Sequence, residues 1–148
     1  MRLVIQRVQS ASVVVDDQIV GQIGPGLLVL AGFAPTDAPA VLAWMARKLV
    51  GLRIFADDNG QMNRSVRDVA GEVLVVSQFT LLADARKGNR PSYIGAAPPP
   101  VAEPLYQQFV AMVAAEMGKP VPTGIFGADM KVSLLNDGPV TIVLDTPA

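Results

Sequence analysis

Residues 72–79, EVLVVSQF, make the strongest strand candidate in this chain, and the spacing of the other apolar runs around them limits the fold. Residues 27–31 (LLVLA) form a short continuous apolar run, as a strand buried on both faces would. Residues 3–15, rich in Val and Ile, read as one strand or a bent pair, and residues 19–23 as another. Asp16-Asp17-Gln18 and Gly24-Pro25-Gly26 supply the turns after them. Residues 52–55 read as a further strand, ended by Asp57-Asp58-Asn59-Gly60. Two segments have helical period instead. Thr36 or Asp37 is placed to cap a helix running to about Val50, with Pro39 in its first turn and Leu42, Met45, Ala46 and Leu49 as its apolar stripe. Gly51 would stop it. Residues 101–117 make a second helix, with Leu105, Phe109, Met112, Val113 and Met117 on one face and Gly118 as its end. Residues 130–135 and 140–144 flank Asn136-Asp137-Gly138 like the two arms of a hairpin. Some strands are thus joined by short turns and others through helices. The expected fold is mixed α/β (α+β), with curved mixed and antiparallel sheets and two main helices, in a single compact domain over residues 1–148.

Bulk properties narrow the chemistry. With 148 residues, 51% of them apolar, there is material for one well-buried core. A formal net charge of −1 argues against the broad basic face that grips long duplexes, so any nucleic-acid contact should be local. No apolar run reaches membrane-spanning length and nothing resembles a signal peptide, so a cytoplasmic protein with no membrane partner is expected. Cysteine and histidine are both absent. That removes disulfides, thiol chemistry, Ser-His-Asp and Cys-His arrangements, and ordinary zinc sites. A catalyst built from this chain must use hydroxyls, carboxylates, Lys, Arg and backbone groups, or borrow a reactive group from its substrate. No ligand cluster points to a metal and no cofactor is expected.

Four features can carry chemistry, and each has a plainer reading. Ser77-Gln78-Phe79-Thr80 closes the strongest strand, where strand alternation puts Ser77 and Phe79 on one face and Gln78 and Thr80 on the other. Backbone N–H groups that lose their ladder partners there can hold an oxyanion. The same four residues also suit a strand running into a polar turn. Asn136-Asp137-Gly138-Pro139 is an ordinary hairpin turn except for Pro139, which removes a ladder donor where pairing should begin. Arg7 shares a strand face with Leu3 and Ile5, so it either snorkels to solvent or pins backbone carbonyls in an unusual turn. Arg86-Lys87-Gly88-Asn89-Arg90 is the densest basic cluster, either a solvated loop or a small patch for the phosphates at one end of an RNA. Tyr93 and Phe126 offer stacking surfaces for a base, with a core role equally open for Phe126.

Read together, these segments resemble the D-aminoacyl-tRNA deacylase (D-tyrosyl-tRNA deacylase) family. The resemblance runs from MRLVIQRV and GPGLLVLAG through LRIFADDNGQMNRSV, VVSQFTLLAD and KGNRPSY to FGADMKVSLLNDGPVTIVLD. SQFT and NDGPVT at this separation are specific as a pair, whereas either alone is weak. The resemblance implies the fold of that family and hydrolysis of the ester bond of D-aminoacyl-tRNA. It also implies action on glycyl-tRNA mischarged on tRNA(Ala), and a homodimer with its active sites at the interface, where the acceptor end of the aminoacyl-tRNA binds. Gly138 and Pro139 would be a Gly-cisPro element inserted into the partner's pocket, accepting hydrogen bonds from the substrate's ammonium group and excluding an L side chain. Arg7 would orient that element, with Asn136 and Phe126 in supporting places. Ser77, Gln78, Phe79 and Thr80 would form the catalytic group, and Arg86, Lys87 and Arg90 would contact tRNA phosphates.

With no histidine beside it, Thr80 lacks the general base that a covalent nucleophile needs. Attack by water, helped by the substrate's own 2′-hydroxyl and by positioning, is the preferred expectation. The rivals are an achiral aminoacyl-tRNA deacylase, a non-catalytic nucleic-acid-binding dimer, and a hydrolase of small free esters.

Overall fold

Strand β1 (Arg2–Val15) is paired along both edges in the computed structural model, which describes residues 1–147. Along one edge β1 pairs antiparallel with β2 (Gln18–Ile23) and β3 (Gly26–Gly32), and along the other with β7 (Lys131–Asp145). β6 (Glu72–Ser77) adds to β3 in parallel. β2 and β3 thus lie end to end along one edge of β1, β6 extends the sheet beyond β3, and β7 lies along the opposite edge. Helix α1 (Pro39–Gly51) and a two-stranded ribbon, β4 (Phe55–Ala56) with β5 (Met62–Arg64), lie between β3 and β6 in the chain. A 3-10 turn (Phe79–Leu82) and helix α2 (Pro99–Met117) follow β6. The mixed α/β architecture expected from the spacing of turns and helices is the one found. No helix is long and apolar enough to cross a membrane among the described residues.

The sheet has a core on each side. Leu3, Ile5, Leu27, Val29, Val73 and Val75 face the two helices, while Leu28, Leu74 and Val76 face a second, smaller cluster with Val8, Ala11 and Val13. Both faces of β3 and β6 are thus covered, which is why their sequences are continuously apolar rather than alternating. β1 changes faces part-way. Val8 and Ala11 are an odd number of residues apart yet share one core, because Gln9 is an extra residue between the pairs Val8↔Asn136 and Ser10↔Leu135. One inserted residue reverses the side on which each later residue emerges.

The turn expected at Asp16-Asp17 closes a hairpin, whereas the hairpin expected around Asn136-Asp137-Gly138 does not form. Asp16 and Asp17 both have positive φ (49° and 61°), the backbone of a two-residue turn whose twist matches its strands, and β1 returns as β2. Asn136-Asp137-Gly138-Pro139 does not turn the chain back. Residues 131–135 and 141–145 both pair with β1, in line with one another, so they form a single strand. Of the turn residues only Gly138 has positive φ (131°), and Pro139 has no N–H to donate. The type I′ turn would need positive φ at two successive residues. The expected hairpin is instead a local excursion from a long edge strand.

Helix boundaries shift for identifiable reasons. Neither Thr36 nor Asp37 caps α1; its N-cap is Ala38, with no side-chain cap. The Asp37 carboxylate is engaged by the Met1 ammonium at 2.9 Å and by the Ala34 N–H at 2.7 Å. The predicted stripe of α1 is buried, together with Val50. α2 begins earlier than expected because prolines fit a first turn, where no N–H is needed. Its buried face is Ala102, Tyr106, Phe109, Val113 and Met117, with Leu105 and Met112 flanking it. Gly118, at φ 71°, caps it as expected. The strand expected over 52–55 is displaced to β4, and β6 stops at Ser77, short of the expected Phe79.

Candidate active site

The parallel ladder between β3 and β6 ends at Ala31↔Ser77, and one further bond, from the Gln78 N–H to the Ala31 carbonyl at 2.8 Å, carries the chain past it. Gly32 permits this closeness: a Cβ there would lie 2.9 Å from the Gln78 carbonyl oxygen. The chain then tightens into the 3-10 turn, so strand alternation does not extend to Phe79 and Thr80. The Gln78 N–H is engaged and cannot serve an oxyanion. The N–H groups of Phe79 and Thr80, at the start of the turn, meet no backbone acceptor among the described residues.

A cavity of about 600 Å³ opens beside this strand end, walled by Ser77, Gln78, Phe79, Tyr93, Phe126 and Met130 among others. It is mostly apolar with a few convergent polar groups, as small-molecule sites are. Phe79 is 54% exposed and meets the edge of Tyr93 at 5.1 Å between ring centres. Phe126 packs tilted on Tyr106, 5.9 Å away. Thr80 does not line the cavity; the Gln78 side-chain amide donates to its hydroxyl. An amide nitrogen that donates cannot remove a proton, so Gln78 does not activate Thr80 as a nucleophile.

Tyr106 is a residue that pattern reading passed over. Its hydroxyl donates to the Val75 carbonyl at 2.9 Å, tying α2 to β6 just before the strand end. Burial pushes its pKa up to about 12. Its signal was present: it stands on the same helical face as Ala102, Phe109 and Val113.

Arg7, Asn136, Gly138 and Pro139 gather elsewhere and do not line the cavity. Between the pairs Gln6↔Thr141 and Val8↔Asn136, one residue of β1, Arg7, faces four of β7, Asp137 to Val140. Arg7 is not snorkelling. It is largely buried, and its guanidinium donates to the Asp137 carbonyl at 3.0 Å and the Ile54 carbonyl at 2.7 Å. Asn136 accepts from the Val140 N–H at 3.2 Å. The Gly138–Pro139 peptide is cis, and both residues are exposed.

The basic loop stands apart from both groups. Arg86, Lys87 and Arg90 are exposed, and Arg86 is paired with Asp84 at 2.9 and 2.5 Å. That hydrogen-bonded pair raises the Arg86 pKa and lowers that of Asp84. Arg86 is thus held to a neighbouring carboxylate in an exposed pair. Among the described residues no three carboxylates gather as a metal ion would require.

A family model described as D-Tyr-tRNA(Tyr) deacylase matches residues 4–145. The chain belongs to that family. It is 60% identical over 146 residues to the D-aminoacyl-tRNA deacylase of Dechloromonas aromatica (strain RCB), covering 99% of this chain and 97% of the relative. It is 61% identical over 148 residues to that of Opitutus terrae (strain DSM 11246 / JCM 15787 / PB90-1), covering 100% and 99%. Among solved structures, one titled "c-Myc DNA Unwinding Element Binding Protein" superposes with a TM-score of 0.93 at 41% identity over the whole of both chains. A "probable eukaryotic D-amino acid tRNA deacylase" shares the fold at a TM-score of 0.83 and 20% identity, covering 97% of each chain.

Proposed function

We propose that this protein hydrolyses the ester bond of D-aminoacyl-tRNA, releasing free tRNA and a free D-amino acid in the cytoplasm. The observation that carries this reading is membership of the deacylase family with Ser77, Gln78 and Phe79 set at the mouth of an apolar cavity. Water attacks the ester carbonyl carbon, the bond to the terminal ribose oxygen breaks, and that oxygen leaves with a proton. The substrate's neighbouring 2′-hydroxyl assists, which suits a chain with no histidine. The N–H group of Phe79, a residue that lines the cavity, stabilises the oxyanion as it forms.

The protein acts as a homodimer. Gly138 and Pro139 complete the cavity of a second copy, a reading supported by their exposure and by their absence from their own chain's cavity. Their carbonyl oxygens receive the substrate's ammonium group. An L side chain, held by the same ammonium, meets the backbone there, whereas a D side chain points out of the pocket. Glycine has no side chain to reject, so glycyl-tRNA mischarged on tRNA(Ala) is also a substrate. Lys87 and Arg90 approach the phosphates of the acceptor end.

The resemblance to a structure titled as a DNA-element-binding protein raises a second reading, a non-catalytic nucleic-acid-binding dimer. The net charge of −1 weighs against it, because such binding draws on several phosphate contacts. Release of D-tyrosine, L-tyrosine and glycine from their tRNAs by the purified protein separates the readings. Rapid release of D-tyrosine and glycine with little L-tyrosine is expected. Equal D and L rates would overturn the chiral reading, and no release would favour the binder. Activity in a monomer would overturn the shared site.

A further inference from the structure

We propose that Gln6 is a positioning residue that fixes the root of the Gly138–Pro139 excursion and so helps set the preference for D- over L-aminoacyl esters, a role that rests on the chiral reading above. Gln6 and Arg7 are neighbours on β1 at the point where its register with β7 breaks. Strand alternation sends their side chains to opposite faces. Arg7 takes the Asp137 carbonyl on one face. On the other, the Gln6 side-chain oxygen accepts two hydrogen bonds, from the Asn136 amide at 2.7 Å and from the Thr141 hydroxyl. Asn136 is the last paired residue before the excursion and Thr141 the first after it. One oxygen atom therefore ties both feet of a four-residue excursion together.

The tether continues into the excursion. Asn136, held by Gln6, accepts in turn from the Val140 N–H. There is little slack at the tip: a Cβ on Gly138 would lie 2.9 Å from the Val140 side chain and 3.0 Å from the Arg7 guanidinium. Selection by steric exclusion depends on where those carbonyls stand to within a fraction of an ångström. Stability depends on Gln6 much less. Thr141 is exposed and Asn136 is only half-buried, so water can replace the lost bonds. A merely structural glutamine would leave selectivity untouched when replaced; a positioning one would not.

The test uses the full-length protein with D- and L-tyrosyl-tRNA, comparing wild type with Gln6→Met and Gln6→Glu. Methionine keeps the length and removes the acceptor; glutamate keeps an acceptor for both donors. Gln6→Met is expected to lower the D-to-L ratio of kcat/KM about tenfold, mainly through a higher KM for the D ester, with the unfolding midpoint nearly unchanged. Gln6→Glu is expected to restore most of the ratio. Thr141→Val, which removes one of the two donors, should give a smaller loss in the same direction and carries the test if Gln6→Met fails to fold. An unchanged ratio in the methionine or valine variant beside a selective wild type would overturn the role of Gln6. So would equal losses with methionine and glutamate. Equal D and L rates in the wild type would instead overturn the chiral reading beneath it.

Discussion

Ser77 ends a strand buried on both faces, whereas Gly138 and Pro139 stand exposed on the outermost strand of the sheet. The two places are held by different forces. At the first, the parallel ladder from Gly26↔Glu72 to Ala31↔Ser77 and two apolar layers fix the backbone. At the second, Gln6, Arg7 and Asn136 hold the chain through side-chain hydrogen bonds over a gap in the ladder. On the proposed reading, the inner place suits groups that must not move during bond breaking. The outer one suits a gate, which needs correct placement but little contribution to folding. Substitutions at the β3–β6 seam should therefore cost folded protein, and substitutions at the edge should, on the proposed reading, cost selectivity.

The largest effect expected is at the far end of the seam. A Cβ on Gly26 would lie 1.9 Å from the Glu72 carbonyl oxygen, so Gly26→Ala must force β3 and β6 apart. The cost should be about 3 kcal/mol or more, by analogy with overpacked cores. In a chain of this size that lowers the unfolding midpoint by roughly 10 °C. Calorimetry measures this, and deacylation assays measure the other half of the contrast. Fewer molecules should be folded, yet those that fold should keep the wild-type D-to-L ratio. A stable variant with altered selectivity would erase the distinction between seam and edge.

The next effect lies where α2 meets the seam. Burial raises the Tyr106 pKa to about 12, from an ordinary value of 10.0, so the fold favours the neutral phenol. Its contribution is fully present below about pH 10 and is lost as pH rises towards 12. The total is about 2–3 kcal/mol at the conversion of roughly 1.4 kcal/mol per unit. Urea unfolding at a series of pH values from 8 upwards should show wild type losing stability on the alkaline side faster than Tyr106→Phe. Near pH 8 the variant should be weaker by about 1 kcal/mol, the value of one buried hydrogen bond. Parallel alkaline limbs would mean that Tyr106 is not the group titrating.

The same division decides how much could be read from the chain. The seam was legible because its cause is local: a continuous apolar run reports a strand covered on both sides, and residues 27–31 and 72–77 are that. Helix stripes were legible for a similar reason, though Tyr106 went unmarked because a tyrosine on an apolar face looks like filling. The edge was misread because its cause is remote. Asn-Asp-Gly favours a hairpin, and nothing nearby says that both arms will pair with a third strand some 130 residues earlier in the chain. Arg7 was awkward in the sequence for a reason visible only in three dimensions, its two carbonyl partners on distant segments. Gln6 gave no signal, since a polar residue on a strand is unremarkable until the excursion opposite it is known.

The smallest effect expected is at the outer strand's other end, and it marks the limit of the contrast. Arg2 donates to Asp145 at 2.7 and 3.2 Å across the pair Arg2↔Asp145, and this hydrogen bond holds the Asp145 carboxyl below the usual carboxylate range. A lowered carboxyl pKa contributes stability above the ordinary value near 4 and loses it as pH falls through the lowered one. Both side chains are about half exposed, so solvent screening reduces the pair to a few tenths of a kcal/mol, less at high salt. Asp145→Asn should change the unfolding free energy at pH 7 by no more than about 0.5 kcal/mol and leave the D-to-L ratio alone. On the proposed reading, edge position by itself should not make a residue matter to selectivity, whereas connection to the excursion should. Were Asp145→Asn to shift the ratio as Gln6→Met is expected to, the whole outer strand would be the gate, and the tether at its root would have no special place.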